Sequence, residues 1–178
     1  MRYLRETTKN VNKEKNKKLI ERYPFLMPHD RLTDEVPEDF DYTYTKMDDM
    51  PDGWRDAFGE QMCEEIREEL VRVGHFEKYR VVQIKEKYGC LCWYDFGGTK
   101  EIDREIIPKY SHLSARICVR CGKPATKLSA GWISPYCDAC ADEIGDRERF
   151  IPIEKQLGKS EDDTASERIE NEKDPDFF

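Results

Sequence analysis

The sequence predicts an α+β fold: a small core of helices and one hairpin, with a four-cysteine module appended after the second core helix. Three observations predict it. Apolar residues recur at helical spacing over 53–73, two β-rich runs flank Tyr88-Gly89, and Cys118, Cys121, Cys137 and Cys140 form two Cys-x-x-Cys pairs fifteen residues apart. The last is the spacing at which four thiolates close around one tetrahedral zinc ion.

Taken in chain order, residues 1–20 carry seven basic and two acidic side chains, and 1–12 are expected to be a basic, flexible N-terminus. Residues 13–23 fit a short helix with Leu19, Ile20 and Tyr23 as its apolar side, ended by Pro24. The next stretch, 24–53, holds four prolines and reads as irregular, except that Asp39-Phe40-Asp41-Tyr42-Thr43-Tyr44 alternates with period two and predicts one edge strand. Trp54, Phe58, Met62, Ile66, Leu70 and Val73 then repeat every three or four residues, and Gly74 stands where a C-terminal capping glycine is expected. Residues 79–87 and 91–96 are rich in β-formers and joined through Tyr88-Gly89, a hairpin by composition, closed by Gly97-Gly98. Residues 100–114 predict a second core helix with Ile102, Ile106, Tyr110 and Leu113 on one side, although Pro108 falls inside it. The core thus spans 13–114, the cysteine module 115–150, and 151–178 an acidic, disordered tail.

Within the module, Cys118-Val119-Arg120-Cys121-Gly122-Lys123 reads as a zinc knuckle, in which Gly122 can take the positive φ that turns backbone N–H groups toward sulfur. The segment 125–134 alternates small or polar with apolar residues around Gly131 and predicts a short hairpin. Cys137 and Cys140 open a helix with acidic residues early, where the helix terminus favours thiolates. Knuckle, hairpin and helix in that order describe a treble clef holding one structural Zn2+. Four unrelated core cysteines or disulfides are the alternatives. The polar, basic first 18 residues do not read as a secretory leader, so a reducing cytoplasm and a metal are expected. Of the other cysteines, Cys63, Cys90 and Cys92, the last two share one face of a strand and could form a second metal site with His75 or serve as small buried hydrophobes.

The chain has 178 residues of which 38% are charged, with a mean hydropathy of -0.88. No apolar run approaches the length of a membrane span, which excludes a helical membrane protein at the level of sequence. Residues 154–178 carry nine acidic and four basic side chains, so the folded part comprises about 140 residues.

Charge is unevenly placed. Residues 30–65 contain thirteen acids against three bases, whereas 106–137 contain Lys109, Arg116, Arg120, Lys123 and Lys127 and no acid. Arg116, Arg120, Lys123 and Lys127 beside Trp132 and Tyr136 could bind phosphate and stack bases, or could balance four zinc-bound thiolates. The acidic segment is read as a solvated face or as a partner-binding surface in which Asp39, Asp41, Asp48, Asp49 and Asp52, interleaved with aromatics, imitate a phosphate backbone. Asp48-Asp49-Met50-Pro51-Asp52-Gly53 lacks the alternating ligands and closing Glu of a calcium loop.

Catalytic motifs are missing. There are three histidines, and none lies between Cys118 and Cys140, where a nuclease of the ββα-metal type would place its base. A phosphate loop and a nucleophile elbow are absent as well. Four thiolates leave zinc no open position for water.

The succession Tyr88-Gly89-x-Leu91-x-Trp93-Tyr94, Cys118-x-x-Cys121-Gly122, Gly131-Trp132 and Cys137-x-x-Cys140-Ala141 resembles a family of small phage and prophage proteins over residues 20–145. In size, acidity and layout the chain is also similar to phage-encoded anti-CRISPR proteins that inhibit Cas9. That resemblance implies a non-enzymatic inhibitor that binds Cas9, with or without its guide RNA, and blocks DNA binding or cleavage. The alternative is a nucleic-acid-binding accessory or transcription-regulatory protein acting through the basic treble clef.

Overall fold

The computed structural model describes residues 3–30, 33, 35–145 and 149–153. The first helix, α1 (Tyr3–Arg22), reaches ten residues further toward the N-terminus than its apolar side predicts. Its sequence up to Arg22 contains neither proline nor glycine, so nothing local interrupts the helix that Leu19, Ile20 and Tyr23 anchor. Ile20 and Tyr23 are buried, and Pro24 starts a separate 3-10 turn, Pro24–Leu26, whose Phe25 and Leu26 join the core.

The expected edge strand at 39–44 is a turn instead. Asp41 accepts hydrogen bonds from the Thr43 backbone N–H at 3.1 Å and hydroxyl at 2.6 Å, Tyr42 has a φ of 62°, and the Phe40 and Tyr42 rings meet at 4.8 Å. An aspartate that bonds the backbone two residues on competes with strand pairing and wins where no neighbouring strand is available. Buried Asn16 of α1 fastens this turn by donating to the Tyr42 carbonyl at 3.0 Å.

Helix α2 runs through Asp52–Trp54, a wider π-helical turn at Arg55–Gly59, and Glu60–Val73. The π turn has a sequence reason. Trp54, Phe58, Met62, Ile66 and Leu70 are spaced by four, and each such step overshoots a 3.6-residue turn by about 40°. One wider turn takes back part of the drift, and all five side chains are buried. Gly74 then ends α2 in the left-handed conformation at φ 70°, as expected.

Strands β1 (Arg80–Lys87) and β2 (Cys90–Phe96) pair antiparallel with Tyr88 and Gly89 both at positive φ, the geometry of a two-residue hairpin turn. A bulge between Val81 and Gln83 keeps Val81 and Ile84 on the buried face opposite Leu91 and Trp93. Helix α3 consists of a π turn, Ile102–Ile106, followed by Ile107–Ser114. The change of winding lies just before Pro108, which therefore sits in the first turn of the second segment, where its missing N–H costs nothing. It also corrects the expected apolar side: Ile102, Ile106 and Tyr110 are buried, but Leu113 is 37% exposed and Ser114 is buried in its place, donating to the Ser111 carbonyl and accepting from the Leu91 N–H.

Under the hairpin, the Trp93 indole donates to the Tyr79 hydroxyl at 2.9 Å, and Tyr79 donates to Asp95 at 3.1 Å. Burial raises the Asp95 carboxyl to about 6, against the hydrogen bond from Tyr79. The folded state therefore holds a proton that the unfolded chain releases near its ordinary value, and Asp95 costs stability as pH rises between about 4 and 6. Asp95→Asn retains an acceptor for Tyr79 without that charge. Its melting temperature relative to the native chain is expected to be higher at pH 7.5 than at pH 4.5. An unchanged difference at the two pH values would contradict the assignment.

Candidate metal centre and the charged surfaces around it

The cysteine module is built as the sequence orders it. The knuckle closes through Cys118 N–H to the Lys123 carbonyl (2.8 Å) and Gly122 N–H to the Cys118 carbonyl (3.0 Å), with Gly122 at φ 73°. Strands β3 (Lys127–Ser129) and β4 (Pro135–Tyr136) form the hairpin, with Gly131 at φ 84° in its loop, and helix α4 (Asp138–Ile144) starts from Cys137. A third strand, β5 (Phe150–Pro152), pairs with β3, so the module extends past residue 150 and takes the first residues assigned to the acidic tail. The rest of that tail, 154–178, lies outside the described residues, as do the side chains of 1–12.

The Sγ atoms of Cys118, Cys121, Cys137 and Cys140 all lie within 4.8 Å of one another, and the Cys121–Cys137 pair is 3.5 Å apart. All four are free thiols. A tetrahedron with metal–sulfur bonds of about 2.3 Å has edges of about 3.8 Å, so the cluster can hold a metal ion with small adjustments. Burial opposes a charge on Cys118, but backbone N–H groups of Cys137, Arg120 and Cys121 directed at its sulfur outweigh it and lower its pKa. Burial and the neighbouring sulfurs push Cys140 well above the ordinary thiol range. Four sulfurs this close cannot all carry charge unaided; a divalent cation is the group that lets them. Among the described residues no other set of metal-ligating side chains converges: Cys63 is buried in the main core, and Cys90, Cys92 and His75 do not join.

The module is not merely appended. Gly53 N–H bonds the Val119 carbonyl at 2.9 Å, and the Trp54 indole bonds the Ile117 carbonyl at 2.8 Å. A Cβ on Gly53 would lie 2.1 Å from the Cys118 carbonyl oxygen and 2.6 Å from the Gly122 nitrogen, both backbone atoms of the knuckle. Gly53→Ala is therefore expected to cost about 3 kcal/mol and to lower metal affinity, because backbone on both sides must give way. Chemical denaturation followed by a chelator competition checks both; a neutral substitution would mean that the contact is not made.

The structure treats the predicted charged residues differently from one another. Asp41 is held at about 2 by hydrogen bonds from Lys13, at 2.6 Å, and from Thr43. Asp48 accepts the Thr45 N–H at 2.7 Å in a capping box, and Asp49 accepts the Tyr44 hydroxyl at 2.6 Å. Asp52 pairs with Arg55 yet stays 73% exposed, and Asp39 is exposed. Two of the four bases predicted to meet phosphate are balanced locally: Arg120 by Glu143 at 2.8 Å, and Lys127 by Asp138 at 3.1 Å and Asp142 at 3.7 Å. The acid-free run 106–137 is thus not an acid-free surface, since α4 supplies the missing carboxylates. Arg116 and Lys123 remain exposed elsewhere on the knuckle. Asp52, Arg120 and Trp132 do come together, around a groove of about 640 Å³ that Glu86 and Tyr136 also line. Trp132 is 69% exposed, and its indole donates to Glu86, whereas Trp54 and Trp93 are buried, as their apolar faces predict.

The periodicity of α2 also orders its acidic residues, which the charge count over 30–65 does not reveal. Asp52, Asp56, Glu60, Glu64 and Glu68 repeat every four residues along α2, two residues out of phase with the buried series and so on the opposite side of the helix. Asp52, Asp56, Glu60 and Glu68 are exposed, while Glu64 is shared with Arg22, Tyr23 and Arg67. The result is an acidic stripe about 24 Å long. The chain matches none of the family models, curated proteins or solved structures with which it was compared.

Proposed function

We propose that this chain is a zinc-stabilised, non-enzymatic inhibitor that docks on the basic nucleic-acid channel of another protein. The observation that carries this reading is the stripe of Asp52, Asp56, Glu60 and Glu68 on a helix that the cysteine module anchors at its first turn. Carboxylates a helical turn apart on a rigid rod present charge at a regular spacing, as a nucleic-acid backbone does, and steer a basic partner into register. The metal of the module is zinc, one ion per chain, since four thiolates in a closed tetrahedral set are its typical structural ligands. The work of binding falls to the carboxylates, and zinc supplies rigidity.

The partner is a host nucleic-acid-handling enzyme, and the resemblance to phage anti-CRISPR proteins points to Cas9 loaded with its guide RNA. Cas9 holds its heteroduplex in a positively charged channel and reads its adjacent motif with arginines, so the site of action is the bacterial cytoplasm. Among the described residues no helix is long and apolar enough to cross a membrane. In vitro cleavage with rising amounts of the protein over a fixed amount of guide-loaded Cas9 tests the reading. Loss of cleavage near equimolar ratio supports a stoichiometric blocker; full cleavage at large excess removes Cas9 as the partner. The regulatory alternative through the basic treble clef is weakened by the pairing of Arg120 and Lys127 with α4.

A further inference from the structure

The face of the β1–β2 hairpin turned away from the core is basic and aromatic in an otherwise acidic chain. Val81, Ile84, Leu91 and Trp93 point inward and are buried, so the alternation and the bulge turn Arg80, Val82, Gln83, Lys85, Lys87, Cys90, Cys92, Tyr94 and Phe96 outward. That face carries three cations and no carboxylate, in a protein of net charge -8. Each cation lies over an aromatic ring: Arg80 over Phe96 at 4.4 Å, Lys85 over Tyr94 at 5.0 Å, and Lys87 over Tyr88 at 5.6 Å. Phe96 is 57% exposed and Tyr88 68% exposed. Glu86, the acid within β1, is directed elsewhere, to the Gly89 N–H and the Trp132 indole.

We propose that this hairpin face binds single-stranded nucleic acid. Single strands are held without sequence preference by cations that meet phosphates and by ring faces on which bases stack, and this surface interleaves the two. The rings fix the cations in place beforehand, which reduces the ordering cost of binding. β1 is about 26 Å long, enough for a few nucleotides, and the partly exposed outer face of the two-stranded sheet, with Val82, Tyr88 and Phe96 exposed along it, offers ring surface to stacked bases. An acidic protein surface would use the three cations but gain little from exposed Phe96 and Tyr88. The face shares no residue with the acidic stripe of α2, so the inference stands or falls apart from the proposed inhibition.

The experiment is fluorescence anisotropy of a labelled 15-mer oligothymidylate against the full chain, with a duplex of equal length as comparison. Binding to the single strand is expected with a slope of log K against log salt of about -2, the value for three phosphate contacts. Arg80→Gln/Lys85→Gln/Lys87→Gln is expected to weaken binding at least tenfold, and Phe96→Ala/Tyr88→Asn at least about fivefold, Asn being suited to the positive φ at position 88. Melting curves confirm that the variants fold, and Lys85→Gln alone, with a loss of about threefold, stands in if the triple variant melts early. No binding at 50 mM salt overturns the proposal. So does equal affinity for the duplex, or a loss in the cation variant with none in the aromatic variant, which would mark a general polyanion or acidic-protein surface.

Discussion

Cys121→Ser is expected to release one zinc ion per chain and to lower the melting temperature by about 10 °C or more, the largest stability change of any single substitution considered. Structural zinc contributes roughly 10–16 kcal/mol of apparent binding free energy at neutral pH, comparable with the whole stability of a domain, and the module has little else. Its own core is small: Cys118, Cys137 and Cys140 are its buried cluster, with Tyr136 packed against them. The effect should not stop at the module. Because Gly53 and Trp54 donate to the Val119 and Ile117 carbonyls, the first turns of α2 should lose protection in hydrogen exchange together with Cys118, Gly122 and Ala125. Residues 60–73 should keep theirs, since Met62, Ile66 and Leu70 are fully buried in the main core. Metal affinity should fall as pH drops, because each thiolate ligand must shed a proton to bind. Elemental analysis that finds no zinc in purified native protein, or a Cys121→Ser variant that retains it, sinks the assignment.

Much of this architecture was legible because it is written in local periodicity and spacing. The doubled Cys-x-x-Cys, the apolar series of α2 with Gly74 after it, and Tyr88-Gly89 between two β-rich runs each encode geometry within a few residues. What failed depends on partners distant in sequence. A period-two pattern at 39–44 makes a strand only if another strand adjoins it, and Asp41 satisfies the local backbone instead. Leu113 left the buried side of α3 because a π turn changed the helical phase upstream of it. The run 106–137 is basic taken by itself, but its balancing acids, Asp138, Asp142 and Glu143, follow directly after it. Gly53 looked like an ordinary helix-start residue; the knuckle backbone packed against it is 65 or more residues away in sequence. The acidic stripe is visible in principle, at the same four-residue spacing as the apolar series and two residues out of phase with it.

That stripe leads to the prediction with the largest functional effect. Asp56→Lys/Glu60→Lys/Glu68→Lys should weaken association with a basic partner by about 100-fold and remove most of its salt dependence, because electrostatic steering accounts for differences of this size between complementary and uncomplementary surfaces. Asp41→Asn should leave association unchanged, since Asp41 is occupied by Lys13 and Thr43. Neutralising Arg120 and Lys123 should matter only if the knuckle touches nucleic acid in the complex. The triple reversal also has an expected effect of opposite sign on stability. Like charges four residues apart on a helix repel by about 0.2–0.5 kcal/mol per pair, and the reversal turns the pairs that Glu64 makes with positions 60 and 68 into attractive ones. A surface that costs the free protein stability and is nevertheless built along an anchored helix is the pattern expected of a binding site rather than of a solubilising face. The variant should therefore melt higher while binding more weakly, measured by thermal denaturation alongside titration of guide-loaded Cas9. A variant that melts higher and still blocks cleavage at equimolar ratio would take the stripe out of the interface; if it also binds with unchanged salt dependence, the acidic face is solvation and nothing more.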